Sequence, residues 1–202
     1  MTDPSDDLTP EQLAALTSGE REALEELRRM DPDERVRFLG HLELMRVAED
    51  FLALVRQDGD LCAAWPLVDP DFRRCLAQQW LIDNRQDLDA GGFDREEVAA
   101  AFVEDEPDHP LWHHFERVHL REGARVIPSL DVLGIGANTR LVAPDVEVLY
   151  VHDTSDMEDG QWQPGEQRWV FPVLMRWDGQ RWRVLNLGSE SVPRPGWPPV
   201  LK

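Results

Sequence analysis

The sequence predicts an α+β protein in which N-terminal helices pack on a curved antiparallel sheet. Apolar residues recur at helical spacing up to roughly residue 125, and they alternate at strand spacing after it. Near the end of the chain, Asp178-Gly179 separates two alternating segments, which is typical of a β-hairpin. We therefore expect the helices to cover one face of a sheet formed by the C-terminal third.

The composition is that of an acidic globular protein. The 202 residues include 40 Asp and Glu against 21 Lys and Arg, a formal net charge of −19, and 42% are hydrophobic. Residues 1–125 hold 30 of the acids and 14 of the bases, so the negative charge belongs to the helices. Since nucleic acids and anionic membranes are bound mainly through Lys and Arg, a field of this sign excludes both as partners.

The start of the chain and its cysteines indicate the compartment. Residues 1–12 are acidic and lack the pattern of a secretory signal, and no apolar run approaches the ~18 residues of a membrane helix. We expect a cytoplasmic protein, and its single lysine, Lys202, suggests a bacterial, GC-rich genome. Cys62 and Cys75 have no Cys-x-x-Cys spacing and are predicted to be core residues.

A repeated helix-start pattern organises the first part of the chain, with a capping residue followed three positions later by Glu or Gln. It predicts helices beginning near Thr9, Thr17, Asp31 and Asp94. The third is the longest and extends to about Gln57. One face of it carries apolar residues at helical spacing, namely Phe38, Leu42, Met45, Ala48, Leu52 and Val55.

Three further helices follow from capping residues and prolines. They are predicted from Asp60 to Trp65, from Asp69 to about Asp83, and from Asp108 onward, the last carrying Trp112, Phe115 and Val118. A loop is expected at Gly91 and Gly92.

Period-two alternation predicts the strands. Residues 145–152 form a strand with apolar residues on both faces, and a polar loop around Trp162 follows it. A two-residue turn at Asp178-Gly179 would pair Met175 with Trp182, whereas a four-residue loop would change the partners but keep the faces. One face is predicted to hold Phe171, Val173, Met175, Trp177, Trp182, Val184 and Asn186, and the other Leu174, Arg176, Arg181, Arg183, Leu185 and Leu187.

These patterns of helix and hairpin resemble the NTF2-like superfamily, also called SnoaL-like or cystatin-like. The resemblance rests on the long amphipathic helix, the segment Ala63-Ala64-Trp65-Pro66-Leu67, the segment Leu111-Trp112-x-x-Phe115, and the terminal hairpin from Trp169 to Val184. It covers residues 33–190, which we take as one α+β domain. Residues 1–32 are then an accessory acidic helical segment, and residues 191–202 a Pro-rich tail.

The resemblance implies a cone-shaped sheet with a pocket at its open end. Enzymes of the superfamily place an Asp, His or Tyr there, at positions that differ between members. Strand parity offers Tyr150, His152 and Asn186 here, with Asp83 at the end of a core helix. Asp83 or His152 would act as base while Tyr150 and Asn186 stabilise an enolate or a bound carbonyl. The alternative is structural: a solvated His152, a helix-terminal Asp83 and a core Tyr150.

Aromatic residues suggest the pocket wall. The candidate ligand-binding residues are Trp112, Trp162, Phe171, Trp177 and Trp182, although aromatic stripes at strand spacing are usually core. The arginines on the other hairpin face, Arg176, Arg181 and Arg183, would pack against another subunit, pair with the chain's own acids, or bind an anion.

No metal and no cofactor are predicted. His109 and His113 have the i, i+4 spacing of a helical metal site, but Pro110 places His109 at the helix boundary and no His-Glu-x-x-His pattern is present.

Two functions from different classes follow. The first is binding of an apolar small molecule in the cone, with or without isomerase, cyclase or dehydratase-like chemistry. The second is a non-catalytic protein-interaction module that uses the acidic helices or the outer sheet face, which would also serve a homodimer. An acidic inhibitor of a basic partner is a third. A buried His or carboxylate facing an open cavity favours the enzyme, and a cone filled by aromatic side chains or the tail favours the module.

Overall fold

The computed structural model describes residues 17–127, 133–135, 140–155 and 169–202. The chain divides into two compact units, Met1–Glu43 and Leu44–Lys202. The division falls inside a long helix rather than ahead of it. The helix predicted at Thr9 and the ligand candidate Trp162 lie outside the described residues.

The first unit contains helix α1 (Ser18–Arg29) and the beginning of α2 (Pro32–Ala53). Asp31 Oδ1 accepts a hydrogen bond from the Asp33 amide at 2.9 Å, as its capping position predicts. The guanidinium of Arg35 reaches back to the carbonyl oxygen of Arg28 at 3.1 Å. Local bonds therefore define the turn between the two helices.

Helix α2 continues into the second unit and ends in a π-helical turn (Leu54–Asp58), where Gly59 adopts a left-handed φ of +65°. The predicted apolar face is buried in this second part, at Ala48, Leu52 and Val55. In the first part it is not, since Phe38 is 41% and Leu42 45% exposed.

The remaining helices belong to the second unit. They are α3 (Leu61–Ala64), a 3-10 turn (Trp65–Leu67), α4 (Pro70–Asp83), α5 (Arg85–Gly91), α6 (Arg95–Val103) and α7 (Trp112–Val126). The side chains of Asp60, Asp69 and Asp94 cap their helices as the sequence predicts. Among the described helices, none combines the length and the apolar character needed to cross a membrane.

Two local predictions in this region need correction. The loop expected at Gly91 and Gly92 is shorter than predicted: helix α5 extends to Gly91, and Gly92, at φ +70°, caps it and begins the loop. Cys75 is buried as predicted, but Cys62 is exposed, on the outer side of the short helix α3.

Within the described residues, five antiparallel strands form one sheet: β1 (Leu133–Ile135), β2 (Arg140–Ala143), β3 (Val146–Asp153), β4 (Val170–Trp177) and β5 (Trp182–Leu187). The strand order is β1-β3-β4-β5. Strand β2 also pairs with β3: β2 pairs with residues 146–148 of that strand and β1 with residues 151–153. Helices followed by a helix-covered antiparallel sheet confirm the α+β class.

The sheet is not curled into a cone, which corrects the finer prediction. Closing a sheet needs a wide array of strands with repeated bulges or glycine kinks. Here β1 and β2 share one edge of β3, and the described ladders contain only two register shifts. The helix-facing side of the sheet is filled by packed side chains, including Leu149, Phe171 and Val173.

The hairpin turn is centred one residue later than predicted. Asp178 N–H donates to the Arg181 carbonyl at 3.1 Å, so Gly179, at φ +96°, and Gln180 occupy the centre. Asp178 Oδ1 accepts from the amides of Gln180 and Arg181, both at 2.9 Å, which fixes the aspartate at the first turn position. Trp177 consequently pairs with Trp182 across a four-residue loop, which is the alternative that changes the partners but keeps the faces. The pairing of Met175 with Trp182 is wrong.

A β-bulge at Leu185 overturns the predicted parity beyond Val184. Met175 pairs with Val184, but Leu174 pairs with Asn186, so Leu185 is an extra residue on β5. Asn186 therefore pairs with Leu174 of the opposite face, and the alternation predicted for β5 does not continue past Val184. Leu187 instead pairs with Val173 and packs against the main core.

Candidate functional site

An apolar cavity of about 220 Å³ lies in the second unit, between the end of α2, helices α3, α4 and α7, and strand β5. Its wall is almost entirely aliphatic and aromatic. The apolar lining residues include Phe51, Val55, Trp65, Phe72, Leu76 and Ile127. A wall of this kind favours an apolar occupant.

Helix α7 positions the polar group of the cavity. Trp112, Phe115 and His119 follow one another at i, i+3 and i+7, which places them on one helix face. Trp112 and Phe115 pack edge-on against Trp65, with ring centroids 5.2 Å and 5.5 Å away. His119 is one turn further along, 4.1 Å from the Phe115 ring, and lines the cavity.

The imidazole of His119 is a buried polar group without a described partner. Its Nε2 has no accessible surface and makes no hydrogen bond among the described residues. Burial lowers the pKa of His119 to about 4, so the ring is neutral at physiological pH. An unsatisfied buried polar atom costs about 1–3 kcal/mol.

The C-terminal segment forms one side of this cavity. Leu201 lines it, and the buried side chain of Asn186 donates from Nδ2 to the carbonyl oxygens of Ser191 and Leu201, at 2.7 Å and 3.0 Å. Gln78 holds the segment further along by accepting from the Gly196 amide at 2.9 Å. The Pro-rich segment is thus part of the second unit's packing.

The four predicted catalytic residues are not brought together. Asp83 is exposed at the end of α4, accepts from Gln79 Nε2 at 2.9 Å, and lines a separate surface groove. Tyr150 packs with Val146 and Val148 on the sheet face opposite the helices, so that shared face is as predicted. Its hydroxyl donates to Glu190 Oε1 at 2.8 Å.

His152 and Asn186 complete that set. His152 is buried on β3 beside Gly134 of β1, where a Cβ atom would lie 3.0 Å from the imidazole Nε2. Of the four, only Asn186 lines the apolar cavity. There its amide is engaged by backbone carbonyls, so its observed role is to position the C-terminal segment.

The predicted pocket aromatics lie elsewhere. Trp112 and Phe171 are buried in the main core, 6% and 4% exposed, and neither lines the cavity. Trp177 and Trp182 pack edge-on against each other at the turn end of the hairpin, with centroids 5.7 Å apart. Trp65 lines the cavity instead, although the sequence pattern placed it only in the resemblance of fold and not among the candidate ligand-binding residues.

The histidines that suggested a metal site are also separated. His109 Nδ1 accepts from the Leu111 amide at 3.2 Å, ahead of α7, and His113 Nδ1 lies 3.3 Å from Glu116 on the helix. Across the described ranges, no three metal-binding side chains are grouped together.

The hairpin arginines pair with acids of the same chain, which is one of the alternatives the sequence left open. Arg176 Nη1 lies 3.2 Å from Asp69 Oδ1 and 2.9 Å from Asp71 Oδ2. Burial raises the pKa of Asp69 although Arg176 opposes this. The network joins β4 to the start of α4.

A second part of this network centres on Asp105. Its carboxylate lies 2.5 Å from Arg73 Nη2, 3.6 Å from Arg181 and 3.7 Å from Arg183. Partial burial works against ionisation, but the hydrogen bond and charge of Arg73, followed by the charges of Arg183 and Arg181, hold the pKa of Asp105 below its usual value. Arg183 also donates to Asp178 Oδ2 at 2.7 Å.

His119 is the residue that sequence reasoning missed. The signal was present, because a histidine stands where the stripe of Trp112 and Phe115 predicts an apolar residue. The spacing of these residues cannot show that the elements packed against α7 leave a cavity beside residue 119.

Comparisons with known proteins identify no relative. No protein-family model matches the chain, and no curated protein or solved structure shows significant similarity to it. The resemblance to NTF2-like proteins therefore stays a prediction.

Proposed function

We propose that the protein binds an apolar small molecule, without covalent chemistry, in the cavity of its second unit. The observation that carries this proposal is a cavity of about 220 Å³ whose wall is mostly apolar. A dry apolar cavity of about 150 Å³ takes up benzene, and pockets for drug-sized ligands begin near about 300 Å³. The expected ligand is therefore about the size of one substituted ring.

The hydrophobic effect would drive the association. Apolar surface that leaves water contributes roughly 25 cal/mol per Å², and the half-buried side chains of Leu76, Leu187 and Leu201 offer such surface in the cavity.

The same site favours binding over proton transfer. A general base works best when its pKa lies near the operating pH. Because burial lowers the pKa of His119 to about 4, its neutral ring is a weak base and a good hydrogen-bonding partner. Isomerase, cyclase or dehydratase-like chemistry is thus the less favoured form of this proposal.

A cavity-filling variant tests the site. Toluene is titrated into the full-length protein, and binding is followed by chemical-shift changes in two-dimensional NMR spectra. Leu76→Phe, which extends a half-buried side chain of the cavity wall, should abolish saturable binding. Leu67→Phe is the matched control, because Leu67 is also half-buried against the core but does not line the cavity.

Either of two results would contradict the proposal: no saturable binding of toluene by the native chain, or equal loss of binding in both variants. Native mass spectrometry of protein purified from its own source supplies the natural ligand. A compound of one-ring size that is lost on denaturation is the expected finding.

A protein-interaction module is the second candidate. The observation that favours it is the exposure of Val36, Phe38 and Leu42, at 52%, 41% and 45%, on a helix whose surface is otherwise rich in acids. The outer sheet face offers less exposed apolar surface to a partner, because Val148, Leu174 and Leu185 are fully buried there. A heterocomplex in the same mass spectra that is lost in Phe38→Asp, with the fold retained, would favour this function.

A further inference from the structure

We propose that a second site, the groove between the end of α4, the start of α6 and the C-terminal segment, binds small aromatic carboxylates. The groove lies in the second unit, has a volume of about 670 Å³ and is lined by Ile82, Arg85, Arg95 and Trp197, among others. Pockets for drug-sized ligands have volumes of about 300–1,000 Å³. The groove shares no lining residue with the apolar cavity, so this proposal does not depend on the proposed function.

The positive groups of the groove are two exposed arginines. Arg85 begins α5 and Arg95 begins α6, and both line the groove. Neither forms an ion pair with a described residue, although acids outnumber bases 40 to 21 in the chain. A guanidinium is always charged, and its paired N–H donors match the two oxygens of a carboxylate. Because both residues are exposed, a ligand in the groove can reach them.

Trp197 supplies an aromatic ring at a fixed place beside Arg95. The guanidinium carbon of Arg95 lies 4.8 Å from the centroid of this ring. The indole Nε1 donates to Glu96 Oε1, while Glu96 Oε2 accepts from Arg74 Nη2 at 3.2 Å. Both oxygens of Glu96 are therefore engaged, so this neighbouring carboxylate orients the indole and leaves the charge of Arg95 for a ligand.

Exposed apolar surface lies next to the arginines. Ile82 lines the groove and is 37% exposed. Phe93, also 37% exposed, lines an adjoining depression that shares Ile82, Arg85, Arg95 and Trp197 with the groove. A ring placed against these side chains removes apolar surface from water, which stabilises the complex. The groove thus combines an anion-binding group with an accessible apolar surface.

The aspartates of the groove limit its ligand to one negative charge. Asp83 and Asp87 line it, and the chain as a whole carries a net charge of −19. Water and salt screen exposed charges, so one carboxylate in direct contact with a guanidinium is still favoured. Further negative charges on the ligand would meet the aspartates, which disfavours nucleotides and other polyanions.

Three probes with the same body and different charges test this selection. The full-length protein is titrated at neutral pH with 3-phenylpropionate, 3-phenylpropanamide and 3-phenylpropylamine, and dissociation constants are compared. We expect the propionate to bind at least about fivefold more tightly than the amide, the upper range of one exposed ion pair. The amine should bind no more tightly than the amide. The propionate should also shift the indole N–H resonance of Trp197, which is assigned by its loss in Trp197→Phe.

Arginine variants test the assignment of the charge. Arg85→Gln and Arg95→Gln should each lower the preference for the propionate over the amide, and the double variant should abolish it. Arg117→Gln is the matched control, because Arg117 is an exposed arginine of α7 that does not line the groove. Leu76→Phe, which fills the apolar cavity, should leave the shift of the Trp197 resonance unchanged.

Several results would overturn this proposal: equal affinities for the three probes, tightest binding of the amine, or an unmoved Trp197 resonance. A preference that persists in the double variant, or that Arg117→Gln lowers equally, would assign it to the general charge of the protein rather than to the groove. Loss of the Trp197 shift in Leu76→Phe would place the probe in the apolar cavity and overturn the second site alone.

Discussion

Arg73 Nη2 lies 2.5 Å from Asp105 Oδ1, so a guanidinium that is 1% exposed depends on a carboxylate that is 53% exposed. Arg73 also donates to the carbonyl oxygens of Val68 and Val103, at 3.0 Å and 2.7 Å. One side chain thus joins the start of α4 to the end of α6, next to the ring of Trp65.

Removing Asp105 should destabilise the second unit strongly. Asp105→Ala leaves the buried Arg73 without its carboxylate, and breaking a buried ion pair in this way costs about 3–5 kcal/mol. Because Asp105 is half exposed and water can replace part of the contact, we expect about 2–3 kcal/mol, measured by urea unfolding. Glu104→Ala is the control, since it removes an exposed neighbouring carboxylate. Equal effects of the two variants would show that Arg73 does not depend on Asp105.

Stability should fall with acid between about pH 6.5 and about pH 4 because of His119. Its pKa is about 4 in the folded chain and 6.5 ordinarily, so the unfolded chain takes up a proton that the folded chain excludes. The free energy of unfolding therefore decreases as pH falls through this window, by up to about 3 kcal/mol. The cavity presents Glu122 and Lys202 as the other charged groups that face His119.

Urea unfolding across this pH range measures the effect. His119→Leu should flatten the profile within the window, whereas His113→Leu should leave its slope unchanged. A slope that persists in His119→Leu would assign the dependence to other groups.

The C-terminal segment should loosen when Asn186 loses its donor group. Asn186→Asp keeps the size of the side chain but cannot donate to the carbonyl oxygens of Ser191 and Leu201. We expect faster hydrogen exchange at the amides of Arg194 and Val200, which bond to each other's carbonyls at 2.9 Å. Gln180→Glu makes the same amide-to-acid change at an exposed residue of the hairpin turn and is the control. Unchanged exchange in Asn186→Asp would mean that Gln78 and the segment's own packing suffice to hold it.

The two cysteines should differ in reactivity. Cys62 is exposed, whereas Cys75 is buried and burial raises its pKa to about 11. Since the thiolate is the reactive form, we expect one thiol per folded chain to react with a disulfide reagent at mildly alkaline pH, and a second after unfolding. Cys62→Ser should leave no fast-reacting thiol. Rapid reaction of folded Cys62→Ser would show that Cys75 is accessible.

Much of the fold could be predicted because it depends on interactions between residues that are close in the sequence. Helix capping is one example, shown by Asp60, Asp69 and Asp94. A short side-chain oxygen accepts hydrogen bonds from amides within three residues, so the contact depends only on residues that are adjacent in the sequence. Strand alternation gave the burial of Val173 and Met175 for the same reason, since the period of a strand is two.

Some features depend on residues that are distant in sequence. Gly91 and Gly92 suit either a loop or a helix end, and a helix that buries Leu88 in the core extends to Gly91. The bulge at Leu185 depends on pairing with β4, and it changes the partner of Asn186 from the one that strict alternation predicts.

The sequence by itself determined the class of this protein: acidic, helices first, and an antiparallel hairpin at the end, because charge and periodicity are properties of the chain alone. Tertiary structure decided whether the sheet curled and where a cavity remained. The candidate site exists only because side chains from distant elements, Val55, Leu76 and Leu201 among them, line one cavity together with His119. Such a space depends on how separate segments pack together, and no single stretch of sequence specifies it.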